Sequence, residues 1–184
     1  MGWTTLAIEA RLTPVNCSLT KAYALIVSAI AMLAAAIALA VIFFNIPGLI
    51  VAIALVLAVS GIPFTDLGMV DQIRIALREY ATCMGPSENC PIAPSIDLLG
   101  KVPMIIGIAS WTMALVLQIS GLGFLASWIL AWVGLPLIAA GEALKIAGSL
   151  LVGAGAVMLI GLLTQVRTYE DCRKSEGQPG GPIN

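Results

Sequence analysis

The sequence contains no histidine and few charged side chains. Among its 184 residues, 9 are Lys or Arg, 10 are Asp or Glu, and only 6% are aromatic. Without histidine, the chain cannot form bis-histidine haem sites, histidine-ligated zinc or copper sites, or Ser-His and Cys-His nucleophilic pairs. It also lacks a Cys-x-x-Cys motif and a basic patch that would bind nucleic acid. We therefore predict a protein that is not an enzyme and has no cofactor, metal site or nucleic-acid partner.

Uninterrupted apolar sequence is what the chain has in abundance. Apolar residues make up 60% of the total, and three stretches carry no charged side chain at all: 22–65, 102–141 and 146–166. One helix needs roughly 20 apolar residues to cross the hydrocarbon core of a bilayer. Continuous apolar runs also differ from the alternating pattern of a membrane β-barrel. The sequence predicts an all-α, multi-pass transmembrane bundle with four to five membrane helices, and the lipid bilayer as its surroundings.

We expect a single membrane domain with one amphipathic interfacial helix. That helix would begin after an N-cap at Thr65, with Asp66 in its first turn. Its apolar face would carry Leu67, Val70, Ile73, Leu77 and Tyr80, and another face would carry Asp71, Arg78 and Glu79. The expected segments are a polar N-terminal stretch (1–20), a helical hairpin (22–63), the amphipathic helix (65–82), a cysteine-containing loop (83–101), a second helical group (102–166) and a polar tail (167–184).

Glycine and proline predict where the apolar runs break. A turn is expected at residues 45–48, and a break in the run 123–141 at Gly134 and Pro136. Whether residues 123–141 cross the membrane or re-enter it stays open at this point. The expected membrane helices are 22–44, 48–62, 102–121, 123–141 and 143–166.

Two stretches share the pattern Gly-apolar-Pro-x-x-x-x-Gly: GIPFTDLG at 61–68 and GLPLIAAG at 134–141. Interrupted apolar segments at matching places in two halves of a chain are typical of transporter binding sites. The match can also arise by chance in a chain with 18 Gly and 10 Pro. We prefer the interpretation that both short runs are kinked or partial spans, with a true duplication as the alternative.

Small residues recur at intervals of seven, which keeps them on one stripe of a helix. In lipid, such stripes let helix backbones approach closely and so drive helix association. They predict tight packing within the chain or with another chain. The residues are Gly134, Gly141, Gly148 and Gly155 near the C-terminal end, and Ala22, Ala29 and Ala36 in the first apolar run.

A few polar side chains lie within the apolar runs. Glu142 and Lys145 are three residues apart and can pair on one helix face. They predict an interface between two spans, with a buried functional pair as the alternative. Ser110, Thr112 and Gln118 either bond between helices or line a polar path.

The four cysteines, Cys17, Cys83, Cys90 and Cys172, lie outside the predicted spans and are disulfide candidates. A Cys83–Cys90 bond would close a short loop, and Cys17 would then join Cys172. In that case the segments that carry them face the oxidising, non-cytoplasmic side.

Taken together, these features favour a non-catalytic structural or accessory subunit that packs with other membrane subunits or with copies of itself. One alternative is a small channel or transporter component whose Gly-Pro breaks shape the pathway. A membrane thiol oxidoreductase is a second alternative, which the missing Cys-x-x-Cys motif disfavours.

Overall fold

The computed structural model describes residues 18–42, 46–61, 68–85, 90, 101–127 and 130–176, and every regular element in these ranges is an α-helix. The all-α prediction is therefore confirmed. The helices are α1 (Thr20–Ile42), α2 (Ile46–Ser60), α3 (Met69–Met84), α4 (Val102–Ala126) and α5 (Ala131–Glu176). By length and composition, α1, α4 and α5 can each cross a membrane, while α2 has only 15 residues.

The predicted break at Gly134 and Pro136 is wrong, because α5 is one continuous helix of 46 residues, about 69 Å long. The separate spans expected at 123–141 and 143–166 share this one helix from residue 131 onward, while residues 123–126 form the end of α4. Pro136 is its sixth residue and removes one backbone hydrogen bond, to the Trp132 carbonyl. The predicted polar tail is also helical as far as Glu176.

The helices of the N-terminal half begin at other residues than predicted. The turn expected at 45–48 gives way to α2 at Ile46, because Pro47 fits the first turn of a helix, where its missing N–H loses nothing. The amphipathic helix begins at Met69 with Gly68 as its N-cap. The predicted N-cap, Thr65, lies outside the described residues.

Two glycines bring the end of α2 against the start of α3. Gly61 ends α2 with a φ of 78°, a conformation that L side chains rarely adopt. A Cβ added to Gly68 would lie 2.7 Å from the Gly61 Cα, so neither position has room for a side chain. The first Gly-Pro stretch thus starts at a helix end, whereas the stretch 134–141 lies inside a helix.

The core of the N-terminal half is one face of α1, which packs against α2, α3 and α5. Spacings of three and four place the buried residues on a single stripe. They are Ala22, Ile26, Ala29, Leu33, Ala36 and Ala40. The predicted alanine stripe thus lies at the interface of α1 with its neighbours.

The two halves of the molecule pack on different parts of α5. The α4 helix contacts α5 from Gly155 back to Gly134. The contacts of α1 run from Gly153 to Glu170. The two packing regions meet near Gly153 and Gly155. The long helix α5 therefore contacts both halves of the molecule.

The amphipathic helix α3 buries Val70, Ile73 and Leu77 against α1 and α2. Asp71 was predicted on a face other than the apolar one, but it is only 5% exposed and forms an ion pair with Lys101, directly before α4. The opposite charge of Lys101 is the physical reason for this burial, since a carboxylate leaves water only with a partner.

Candidate functional site

The α4–α5 interface is built on glycines that leave no room for a side chain. A Cβ on Gly134 would lie 2.7 Å from the Gly121 carbonyl oxygen, and one on Gly141 would lie 3.1 Å from that of Ala114. The same holds at Gly155, where the Cβ would lie 2.6 Å from the Met104 side chain. The structure therefore places the glycine stripe of α5 against α4, within the chain.

The matching stripe on α4 was missed in the sequence. Gly107, Ala114 and Gly121 also recur at intervals of seven, and all three are buried against α5. Their spacing was visible, but only the glycines of the C-terminal run and the alanines of the first apolar run were read as stripes. When two antiparallel helices pack closely, a stripe of small residues on one helix implies a matching stripe on the other, since each provides the space that the other needs.

Gly148 allows a direct test of this close packing. A Cβ there would lie 2.6 Å from Trp111 Nε1 and 3.0 Å from the Gly107 carbonyl oxygen. We expect Gly148→Ala to lower the free energy of unfolding by about 1–3 kcal/mol, because α4 and α5 must move apart. Thermal unfolding in detergent, followed by tryptophan fluorescence, measures this change.

Gly161 provides the matched control on the same helix. It is exposed, and a Cβ there meets nothing within 4 Å. We expect Gly161→Ala to raise stability by up to about 1 kcal/mol through helix propensity alone. Equal responses of the two variants would show that Gly148 is not at a close contact.

The second feature of this interface is a cluster of polar side chains. Gln118 Nε2 of α4 donates a hydrogen bond to Glu142 Oε1 of α5 over 2.6 Å. Lys145 Nζ lies 3.1 Å from Glu142 Oε1 and 3.0 Å from its Oε2. We call these three residues the polar cluster. It joins α4 to α5 within their apolar stretches.

The cluster is fixed by further hydrogen bonds to the α5 backbone. Trp111 Nε1 and Ser149 Oγ both donate to the Lys145 carbonyl oxygen, over 3.0 and 2.8 Å. The Lys145 side chain is 5% exposed, whereas that of Glu142 is 34% exposed. One carboxylate thus reaches the outer surface of the helix pair, while its cation stays inside.

The other polar residues of α4 do not join this cluster. Ser110 Oγ and Thr112 Oγ1 donate to carbonyl oxygens of their own helix, at Ile106 and Ile108, over 3.0 and 2.9 Å. Gln118 faces α5 and is buried, whereas Thr112 is exposed. The structure therefore does not bring Ser110, Thr112 and Gln118 together along one path.

The cysteines pair differently from the simplest expectation. Cys90 is bonded to Cys172, across 82 residues, so the short Cys83–Cys90 loop and the Cys17–Cys172 bond are both wrong. The physical reason is that α4 and α5 are antiparallel, which brings the end of α5 back beside the segment before α4. Cys83 is also disulfide-bonded, and Cys17 lies outside the described residues.

Polar contacts surround this disulfide and join α5 to α1 and α3. The Tyr23 hydroxyl donates to Glu170 over 2.6 Å, and Arg173 Nη2 donates to the Gly85 carbonyl oxygen over 2.9 Å. The Tyr80 and Tyr169 rings meet edge to face, 6.1 Å apart. We call this end of the molecule the disulfide end.

In the ranges that the structure describes, no three His, Cys, Asp or Glu side chains are grouped so that they could hold a metal ion. Comparisons of the chain with protein-family models, with curated proteins and with solved structures found no match. The geometry of the α4–α5 interface and of the disulfide end is therefore what bears on function.

Proposed function

We propose that this chain is a non-catalytic membrane protein that packs as a structural or accessory subunit within a larger assembly or homo-oligomer. In this proposal the candidate spans α1, α4 and α5 form the membrane part of the chain, and the 15-residue α2 is a fourth, partial membrane segment. The observation that carries the proposal is the partial exposure of Glu142 on the outer surface of the α4–α5 pair.

The exposure of Glu142 is significant because the polar cluster lies near the middle of α4. The midpoint of α4 is Ala114, and Gln118 lies four residues further along, about 6 Å from it. If α4 spans a hydrocarbon core of about 30 Å, Glu142 is well inside that core. A charge facing lipid there is costly, and such residues usually meet a protein partner or a polar cavity. A neighbouring chain that covers Glu142 would remove this cost.

The length of the exposed apolar surface supports the same proposal. Exposed apolar side chains extend along α5 from Trp132, 75% exposed, to Ile160, 48% exposed. These residues are about 42 Å apart along the helix. A hydrocarbon core of about 30 Å covers this length only if α5 is tilted by more than 40°. Apolar contacts with other chains would cover those exposed side chains of α5 that lie outside the hydrocarbon core.

The proposal places the disulfide end on the oxidising, non-cytoplasmic side of the membrane. Disulfides persist in oxidising compartments and are rare where glutathione and thioredoxin keep thiols reduced. Cys83, Cys90 and Cys172 are all disulfide-bonded. This orientation is a proposal, and modification of an introduced exposed cysteine by an impermeant maleimide in intact cells tests it.

The first experiment is the mass of the protein extracted natively in mild detergent. Ala139 is exposed one turn before Glu142, so Ala139→Phe would block a chain that covers the carboxylate. Ala34→Phe adds the same bulk to an exposed position of α1. We expect a stoichiometric complex for the wild type and for Ala34→Phe, and its loss in Ala139→Phe.

Two results would contradict the proposal. A monomeric wild-type protein would show that no assembly forms. A complex that survives both substitutions, or is lost equally in both, would show that the assembly does not depend on the surface around Glu142.

A further inference from the structure

The outward face of α3 borders a cavity of about 430 Å³ that neither the disulfide end nor the polar cluster uses. Its lining side chains recur at spacings of three and four, so they share one face of the helix. They are Asp71, Arg74, Ile75, Arg78, Glu79 and Thr82. We call this cavity the α3 groove.

The charges of the α3 groove are unbalanced. Arg74 and Arg78 are one turn apart on the same helix, where two like charges repel each other and destabilise the helix. Neither guanidinium forms an ion pair with the residues that the structure describes. Asp71 is neutralised by Lys101, so the two arginines and Glu79 leave a net charge of +1. The repulsion between the arginines is relieved when an anion binds between them.

The position of the groove relative to α4 defines its depth. Lys101 directly precedes α4, a candidate membrane span, and its ammonium group bonds to Asp71. Arg74 and Arg78 lie about 4.5 and 10 Å further along the α3 axis. The interfacial region of a bilayer is about 5–8 Å deep on each side. Under the proposed function, in which α4 crosses the bilayer, the groove begins at the level where that span meets the headgroups.

We propose that the α3 groove binds a phosphate group through Arg74 and Arg78. A guanidinium presents a planar fork of N–H donors that matches phosphate oxygens. The net charge of +1 suits a phosphodiester with a single negative charge, as in a phospholipid headgroup, better than inorganic phosphate, which carries more charge. The aliphatic Ile75 gives the groove an apolar wall beside the headgroup.

Binding of dioctanoyl phosphatidylglycerol to the detergent-solubilised full chain, measured by native mass spectrometry, tests the proposal. The variant is Arg74→Gln/Arg78→Gln. The control is Lys21→Gln/Arg167→Gln, which removes the same charge from exposed positions outside the groove. We expect the groove variant to bind about 30-fold more weakly and the control less than about threefold more weakly, since each basic residue near an anionic headgroup contributes about fivefold.

A second arm separates the two sources of phosphate. Inorganic phosphate at up to millimolar concentration is added to the wild-type protein with the lipid. If it leaves lipid binding unchanged, the lipid headgroup is the ligand; displacement of the lipid would identify free phosphate as a ligand of the same groove. Equal weakening in both variants, or none in either, overturns the proposal. Because both double variants change exposed residues, a matching thermal unfolding profile shows that each has folded.

Discussion

Replacing Cys90 and Cys172 together by serine is expected to cause one of the largest losses of stability that a double substitution in this chain can produce. The bond joins residues 82 positions apart. In the chain-entropy model, closing a loop of this length contributes about 4.5 kcal/mol. Helices that persist in a detergent-denatured state restrict the chain already, so this value is an upper limit. Thermal unfolding in detergent, with and without the substitutions, measures the loss.

A second experiment, on the wild-type protein, identifies the cysteine partners. Proteolysis of the non-reduced protein should release a peptide around Cys90 joined to one around Cys172, and reduction should separate them. Reducing agent is expected to lower the stability of the wild type by at least as much as the double substitution, since Cys83 is disulfide-bonded as well. A closed peptide that links Cys83 to Cys90 would contradict the structure.

Local patterns in the sequence predict the helices of this protein and their packing faces. They predict the residues at which the helices begin and end less accurately. The apolar runs predict the all-α class because an uninterrupted apolar segment that crosses lipid must satisfy its backbone groups internally. The intervals of seven place Gly141 and Ala29 on buried faces, since a repeat of seven keeps residues on one side of a helix. Pro136 misleads, because it costs only one hydrogen bond inside a helix that other contacts hold.

Contacts between distant residues could not be predicted from the sequence. Asp71 looks like a solvated residue on an amphipathic helix until the fold brings Lys101 beside it. The Cys90–Cys172 bond depends on the antiparallel course of α4 and α5, which no spacing of cysteines encodes. In the polar cluster, the Glu142–Lys145 pair follows from its spacing, but Gln118 enters only through the register of the two helices.

Loss of the charge on Lys145 is expected to have an effect as large as that of the disulfide. Its side chain is 5% exposed and lies 3.0 Å from Glu142, and residues 102–166 carry no other charged side chain. Removing one partner of a buried ion pair typically costs about 3–5 kcal/mol, because the remaining charge stays in a medium of low dielectric. We expect losses of this size from Lys145→Met and from Glu142→Leu. Unfolding in detergent measures each loss.

The double variant Glu142→Leu/Lys145→Met tests whether this effect belongs to the pair. Two apolar side chains of similar volume often replace a buried ion pair with little loss, whereas either single substitution leaves one charge behind. We therefore expect the double variant to be more stable than Glu142→Leu alone, although it carries one more substitution. Gln118 loses its acceptor in both variants, so its contribution cancels in this comparison.

Lys174→Met is the matched control, because Lys174 also pairs with a glutamate on α5, over 2.7 Å, but its side chain is 68% exposed. Water and salt screen a pair of this kind, so its loss is expected to leave stability almost unchanged. Equal effects of Lys145→Met and Lys174→Met would show that the polar cluster lies in a watery environment. A large effect confined to Lys145 would mean that the cluster is dry, and that the exposed edge of Glu142 faces lipid or another chain rather than water.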